Sequence, residues 1–210
     1  MVKKLLFSGF LLALFAAVGT TAVSFVHGNA LPRIEAAQKT QLLGTLHQFV
    51  PPETHDNDMF TDTLEVHDRE LLGSSEAITV YRARKGGTPV AVVLTAVAPD
   101  GYSGDIKLLI GINYDGSIAG VRVISHKETP GLGDRIEAER SPWINGFAGR
   151  SLQNPAEEQW KVKKDGGQFD QFTGATITPR AVVKAVANTL RYYQMHRDAL
   201  FAPAAEKPHE

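Results

Sequence analysis

The sequence contains no cysteine. That absence excludes disulfides, iron–sulfur clusters ligated within the chain, thiol nucleophiles and thioether-linked cofactors, and it fits an oxidising compartment. Charge of one sign is also missing: 22 Lys and Arg oppose 23 Asp and Glu, leaving −1 at neutral pH. No basic field therefore marks the chain for nucleic acid. The seven histidines form no His-x-His or H-E-x-x-H pattern, and none pairs with another at i, i+4 beside acidic residues, so they spell no metal-ligand set. A glycine-rich dinucleotide fingerprint and an internal repeat of useful length are absent too. What remains is ordinary in bulk, with 43% apolar and 21% charged residues in 210, enough for one moderate domain plus extra segments.

The N-terminus departs from that average. Lys3 and Lys4 precede an uncharged run over residues 5–26. As a helix this run spans about 33 Å, enough for a bilayer core of roughly 30 Å. A cleavable signal peptide is the competing reading, but its apolar core is shorter and ends in a small-x-small site, and "VHGNA" makes a poor one. The reading is a retained anchor in the lipid bilayer, with residues 1–4 cytoplasmic and the remainder on the far side, in a periplasm-like space. Residues 27–52 form a linker with a helical period over Ile34, Leu42, Leu46, Phe49 and Val50, stopped by Pro51 and Pro52.

Residues 53–63 read as an exposed acidic loop. Asp56, Asp58 and Asp62 lack the glycine and terminal glutamate of a calcium loop. Beyond them, runs rich in Val, Thr and Ile break at Gly86-Gly87 and at Asp115-Gly116, the second taken as a two-residue turn. They predict four strands in an antiparallel meander. "SPWINGFAGR" reads as a short helix capped by Ser141 with Pro142 at its first position, and "QWKVKKDGGQFDQF" as a hairpin-like stretch. The last helix runs from about Pro179 to Leu200, with Thr178 as N-cap, and buries Val182, Val186, Leu190 and Tyr193. Residues 201–210 read as a flexible tail. Strands followed by helices give an α+β domain over residues 53–200.

Two stretches carry candidate chemistry. In "FTGATITP", Thr173 and Thr176 flank Gly174 and Ala175 at the positive end of a helix. Local physics allows a plain cap, a phosphate cradle or a site of covalent chemistry. In "HKETPGLGDRIE", Pro130-Gly131 makes a tight turn and Gly133 permits another; alone this is only a turn after a strand.

The spelling "DQFTGAT", residues 170–176, is similar to the D-x-x-[S/T]-G-A-[S/T] flavinylation signature. Together with the anchor, the "HKETPGLGD" loop and "TGATIT" before the last helix, the chain resembles the RnfG family, the G component of the Rnf electron transport complex. The C component of the sodium-translocating NADH:quinone reductase is a longer relative with both motifs. The resemblance implies an extracytoplasmic FMN-binding domain, with FMN joined covalently through its phosphate to Thr176 by a flavin transferase. It further implies that Thr173, Gly174 and Ala175 shape the attachment turn and that Asp170 serves transferase recognition. By the same analogy Glu128, Thr129, Pro130, Gly131, Leu132 and Gly133 line the flavin ring, with His126 and Lys127 as weaker candidates. The implied role is a redox relay, not a complete enzyme, among other membrane and peripheral subunits that couple ferredoxin and NAD(H) chemistry to cation movement. A tethered domain that merely caps its helix is the non-redox alternative, and a free-standing reductase the other. The missing dinucleotide fingerprint and iron–sulfur ligands speak against the reductase.

Overall fold

The computed structural model describes residues 2–202. Helix α1, Val2–Phe49, runs through the expected boundary at residue 26 without a break. Its segment Val2–Phe25 is long and apolar enough to cross a membrane, about 36 Å at 1.5 Å per residue. Pro51 and Pro52 follow Val50, and since proline supplies no N–H the helix cannot continue. Residues 1–45 and 46–210 form two compact units.

The second unit is built on a sheet of five antiparallel strands in chain order: β1 (Thr63–Asp68), β2 (Ser74–Lys85), β3 (Thr88–Ala98), β4 (Ile106–Asn113) and β5 (Ile118–Ser125). Gly86 and Gly87 take φ of 56° and 78° and close the β2–β3 hairpin with the left-handed backbone that matches strand twist. The β4–β5 connection is longer than a two-residue turn. It runs from Asn113 to Ser117, closed by Asn113 N–H on the Ser117 carbonyl at 2.8 Å, and Asp115 accepts from the Ser117 N–H and hydroxyl. β1 begins at Thr63, the last residue of the expected loop, and covers residues to which the sequence assigned no element. Glu65, His67 and Asp68 hide its alternation, and as an edge strand it is only half-buried.

Alternate residues of the strands fill two faces. On one face Ile78, Val80, Val92, Leu94, Leu108, Ile110 and Ile112 share a core with α2 (Ile177–Leu200), whose Val182, Val186, Leu190 and Tyr193 are buried as the helical period predicts. On the opposite face, Gly111 and Gly120 lie directly across from each other. A Cβ on either would run into the Phe49 ring. The glycine pair thus leaves a socket that Phe49 fills, with Arg122 over the ring at 5.7 Å.

Between β5 and α2 the chain makes short 3-10 turns. Pro142–Phe147 is one, and Ser141 caps it by accepting the Trp143 N–H at 3.2 Å. The "QWKVKKDGGQFDQF" stretch forms no hairpin strands. It holds 3-10 turns at Glu157–Gln159 and Lys163–Asp165 and a single parallel bridge between Val162 and Phe169. Its apolar residues go elsewhere: Trp160, Phe169 and Phe147 pack their rings on one another at 4.8–6.2 Å. Of the expected tail, Phe201 is buried and its carbonyl accepts from Arg84 at 2.9 Å, while the Ala202 carbonyl accepts from Arg82 at 2.7 Å. These two residues are therefore tied down; residues 203–210 lie outside the described residues.

Candidate functional site

The turn before α2 is positioned by aromatics. Phe169 and Phe172 are buried, while Asp170 between them is exposed. Phe172 packs edge-on against Trp143 at 5.1 Å and under Arg135 at 4.8 Å, and the Trp143 indole N–H donates to the Asp170 carbonyl at 2.8 Å. With its base fixed, the chain reverses over Phe172–Ala175, closed by Ala175 N–H on the Phe172 carbonyl at 3.1 Å. Gly174 takes φ of 85° there, a left-handed position where a side chain would be strained.

Helix α2 begins at Ile177, two residues before the expected start. Thr178 is not its N-cap. The cap position belongs to Thr176, whose side chain makes no capping hydrogen bond. Thr178 sits inside the first turn, 1% exposed, and donates its hydroxyl to Glu128 Oε2. Lying one residue inside the helix, Thr178 is past the cap position, and its hydroxyl proton is committed to a charge-assisted bond with the buried carboxyl. Pro179 follows as the third helical residue, where a missing N–H costs nothing.

The second wall comes from the loop after β5. Leu132 and Gly133 N–H groups both reach the Thr129 carbonyl at 3.1 Å, and Gly131 takes φ of 79°. Gly133 is close-packed: a Cβ there would lie 2.8 Å from Glu128 and 2.9 Å from the Thr178 hydroxyl.

The two walls face each other across a cleft of about 450 Å³. Glu128, Thr129, Leu132 and Gly133 line one side; Gly174, Ala175, Thr176, Ile177, Thr178 and Arg180 line the other, with Tyr102 at the mouth. Leu132, Ile177 and Tyr102 are 43%, 45% and 69% exposed, an apolar rim suited to a flat ring system. Arg180 is held by Asp165 in two bonds of 2.6 Å, and the guanidinium keeps that carboxyl below its ordinary range.

The expected residues divide as follows. Seven of them, Glu128, Thr129, Leu132, Gly133, Gly174, Ala175 and Thr176, meet in this cleft. Thr173 and Gly131 are exposed and shape their turns without lining it. Asp170 lies on a neighbouring cleft and pairs with Lys163 at 2.6 Å. Lys127 is exposed. His126 is engaged on both nitrogens: Nδ1 accepts the Glu128 N–H at 2.9 Å, and Nε2 meets Glu137 Oε1 at 2.6 Å. Sequence reasoning missed Tyr102, Ile177, Arg180 and the inward role of Thr178. The run T-x-T-P-R from Thr176 was the available signal for the last two.

A cleft that joins an uncommitted hydroxyl, a helix N-terminus and an apolar rim has the donor set for a phosphate bearing an aromatic ring, and FMN is such a group. The comparisons define the class: residues 101–191 match the FMN-binding domain family, and residues 1–49 match the family described as RnfG N-terminal region. The protein is an FMN-binding domain protein of mixed α+β fold, preceded by a helix long and apolar enough to cross a membrane. It is 47% identical over 195 residues to the G component of the ion-translocating oxidoreductase complex of Shewanella oneidensis, covering 93% of this chain and 92% of that one. Against the same component from Pseudomonas aeruginosa it is 48% identical over 208 residues, covering 99% and 97%. Against that of Aliivibrio fischeri it is 46% identical over 193 residues, covering 92% of each. The chain belongs to the RnfG family, the G components of ion-translocating oxidoreductase complexes.

Proposed function

We propose that this chain carries one FMN as a phosphate ester on Thr176 and relays electrons inside an ion-translocating oxidoreductase complex that links ferredoxin and NAD(H) chemistry to cation movement. The observation that carries the reading is the contrast among three threonines. Thr173 is exposed and does not line the cleft; Thr178 lines it, but its hydroxyl is committed to Glu128. Thr176 lines it with a hydroxyl that has no hydrogen-bond partner among the described residues. Within the turn, Thr176 is thus the threonine that offers a free hydroxyl to the cleft; Thr129, on the facing wall, lies outside the D-x-x-[S/T]-G-A-[S/T] signature and away from the start of α2.

The neighbouring groups favour the product. The unpaired N–H groups and positive dipole end of α2 favour a phosphodiester anion beside Thr176. Gly174 and Ala175 add little bulk where a flavin transferase must approach, and Asp170, exposed at the start of the motif, is its recognition point. Leu132, Ile177 and Tyr102 offer exposed apolar surface that a flat ring would cover. FMN supplies a carrier of one or two electrons. A covalent link removes the equilibrium that would empty the site where free FMN is scarce. That condition fits a periplasmic domain, the side opposite Lys3 and Lys4. Other subunits of the complex would donate and accept the electrons.

Intact-mass measurement of the protein from a host that has the transferase tests the site. The expected gain is one FMN less one water for the natural chain and for Thr176→Ser, with no gain and no in-gel flavin fluorescence for Thr176→Val. An adduct that survives in Thr176→Val, or a natural chain with no adduct, overturns the assignment. Gentle solubilisation tests the assembly: co-migration with polytopic subunits is expected, and a lone species with full reductase turnover overturns the relay.

A further inference from the structure

Glu128 is an acid held where an acid is costly. It is 5% exposed and, among the described residues, forms no ion pair. Desolvating an unpaired carboxylate opposes folding in a way that a packed neutral residue would not. Yet the socket is built around the group. The Ser103 N–H donates to Oε1 at 2.9 Å and the Thr178 hydroxyl to Oε2. Two glycines make the room: a Cβ on Gly101 would come 3.1 Å from Oε1, and one on Gly133 2.8 Å from Oε2. Both carboxyl oxygens are engaged, Oε1 by a backbone N–H and Oε2 by a hydroxyl.

The backbone of Glu128 is fixed as well. His126 Nδ1 accepts its N–H, so the ring proton sits on Nε2 and is donated to Glu137. Glu137 and the nearby Asp134 face Arg140 at 3.7 Å. Around the cleft wall itself the charged side chains are Glu128 and Arg180. Asp165 neutralises the arginine in a bidentate pair. Glu128 is left as the uncompensated side-chain charge of the cleft.

We propose that Glu128 sets the reduction potential of the flavin, holding it low by placing a fixed negative charge beside the ring; this rests on the reading that FMN occupies this cleft. An electron added to a ring in the cleft brings a second negative charge into the same poorly hydrated space, and the carboxylate opposes it. Removing the carboxylate charge while keeping its volume favours the reduced flavin. Across a cleft of this size and an effective dielectric of about 20, the effect is on the order of tenfold in the ratio of reduced to oxidised flavin.

The test is an equilibrium redox titration of the full-length, FMN-bearing protein in detergent, with dithionite and mediators, read by flavin absorbance at fixed pH. At the ambient potential where the natural protein is half-reduced, Glu128→Gln is expected to be about tenfold richer in reduced flavin relative to oxidised, and Glu128→Asp, which keeps the charge, to stay near the natural protein. A Glu128→Gln protein that carries one FMN, melts normally and titrates with the natural chain overturns the proposal. So does a Glu128→Asp protein shifted about tenfold toward reduction, which decides the matter if the glutamine variant does not accumulate. A natural chain that carries no FMN by mass defeats the preceding reading instead, so the two failures are separable.

Discussion

Tyr193 buries its ring in the core and donates its hydroxyl to the Tyr114 carbonyl at 3.1 Å. Burial pushes its phenol above the ordinary value of 10.0, and it does the same to Tyr81 and Tyr192. The folded protein therefore keeps these protons at a pH where the unfolded chain releases them. Their contribution to stability is complete below the unfolded value of 10.0 and is lost as pH rises from there through the raised folded values. The urea midpoint is expected to be insensitive to these groups up to that value and to fall above it, less steeply in Tyr193→Phe. A Tyr193→Phe curve that tracks the natural one through the alkaline range contradicts the assignment. The same scale explains what the motif could not say. Thr176 and Thr178 are spelled alike, two residues apart. Only the fold, by setting Glu128 against one of them from 50 positions away, gives them different chemistry.

Among the elements, α2 is held at both ends by charge. Its first turn is tied to Glu128, and its last meets β2: Arg82 and Arg84 donate to the Ala202 and Phe201 carbonyls, and both pair with Asp62 at 2.5 and 2.8 Å. Cations at a helix C-terminus answer its free carbonyls and dipole. Arg82 is 2% exposed, so Asp62→Asn would leave a buried guanidinium without its counter-charge and cost about 3–5 kcal/mol, measured by chemical denaturation. A loss indistinguishable from that of an exposed pair would mean the carbonyls alone hold the arginines. None of this was legible in the acidic loop that the sequence presented at 53–63, because its partners lie far along the chain. The hairpin at Gly86-Gly87 and the period of α2 were legible because both are local. β1 was not: its charges mask its alternation, and its pairing with β2 is what makes it a strand.

For the molecule as a whole, the feature hardest to anticipate is the seat of Phe49. Two glycines opposite each other in a sheet weaken it unless another group covers them, and here an aromatic ring does so. Phe49→Ala is expected to destabilise the 46–210 unit by about 3–5 kcal/mol. Gly120→Ala is expected to dislodge the same ring, because backbone cannot yield as a side chain can. Both should raise hydrogen exchange over residues 46–50 and leave Thr176 modification intact; unchanged exchange would show that the ring is not what fastens this segment.

The order of the strands has a last consequence. Each strand pairs with the one before it, so the sheet can zip up by successive hairpins with little chain to close at each step. The cleft cannot form that way. Its walls come from residues 128–133 and 174–180 and meet only when the final helix settles on the completed sheet. A prosthetic group gripping both walls would act as a seal on finished assembly, tightening the mature state and leaving partly built chains unrewarded.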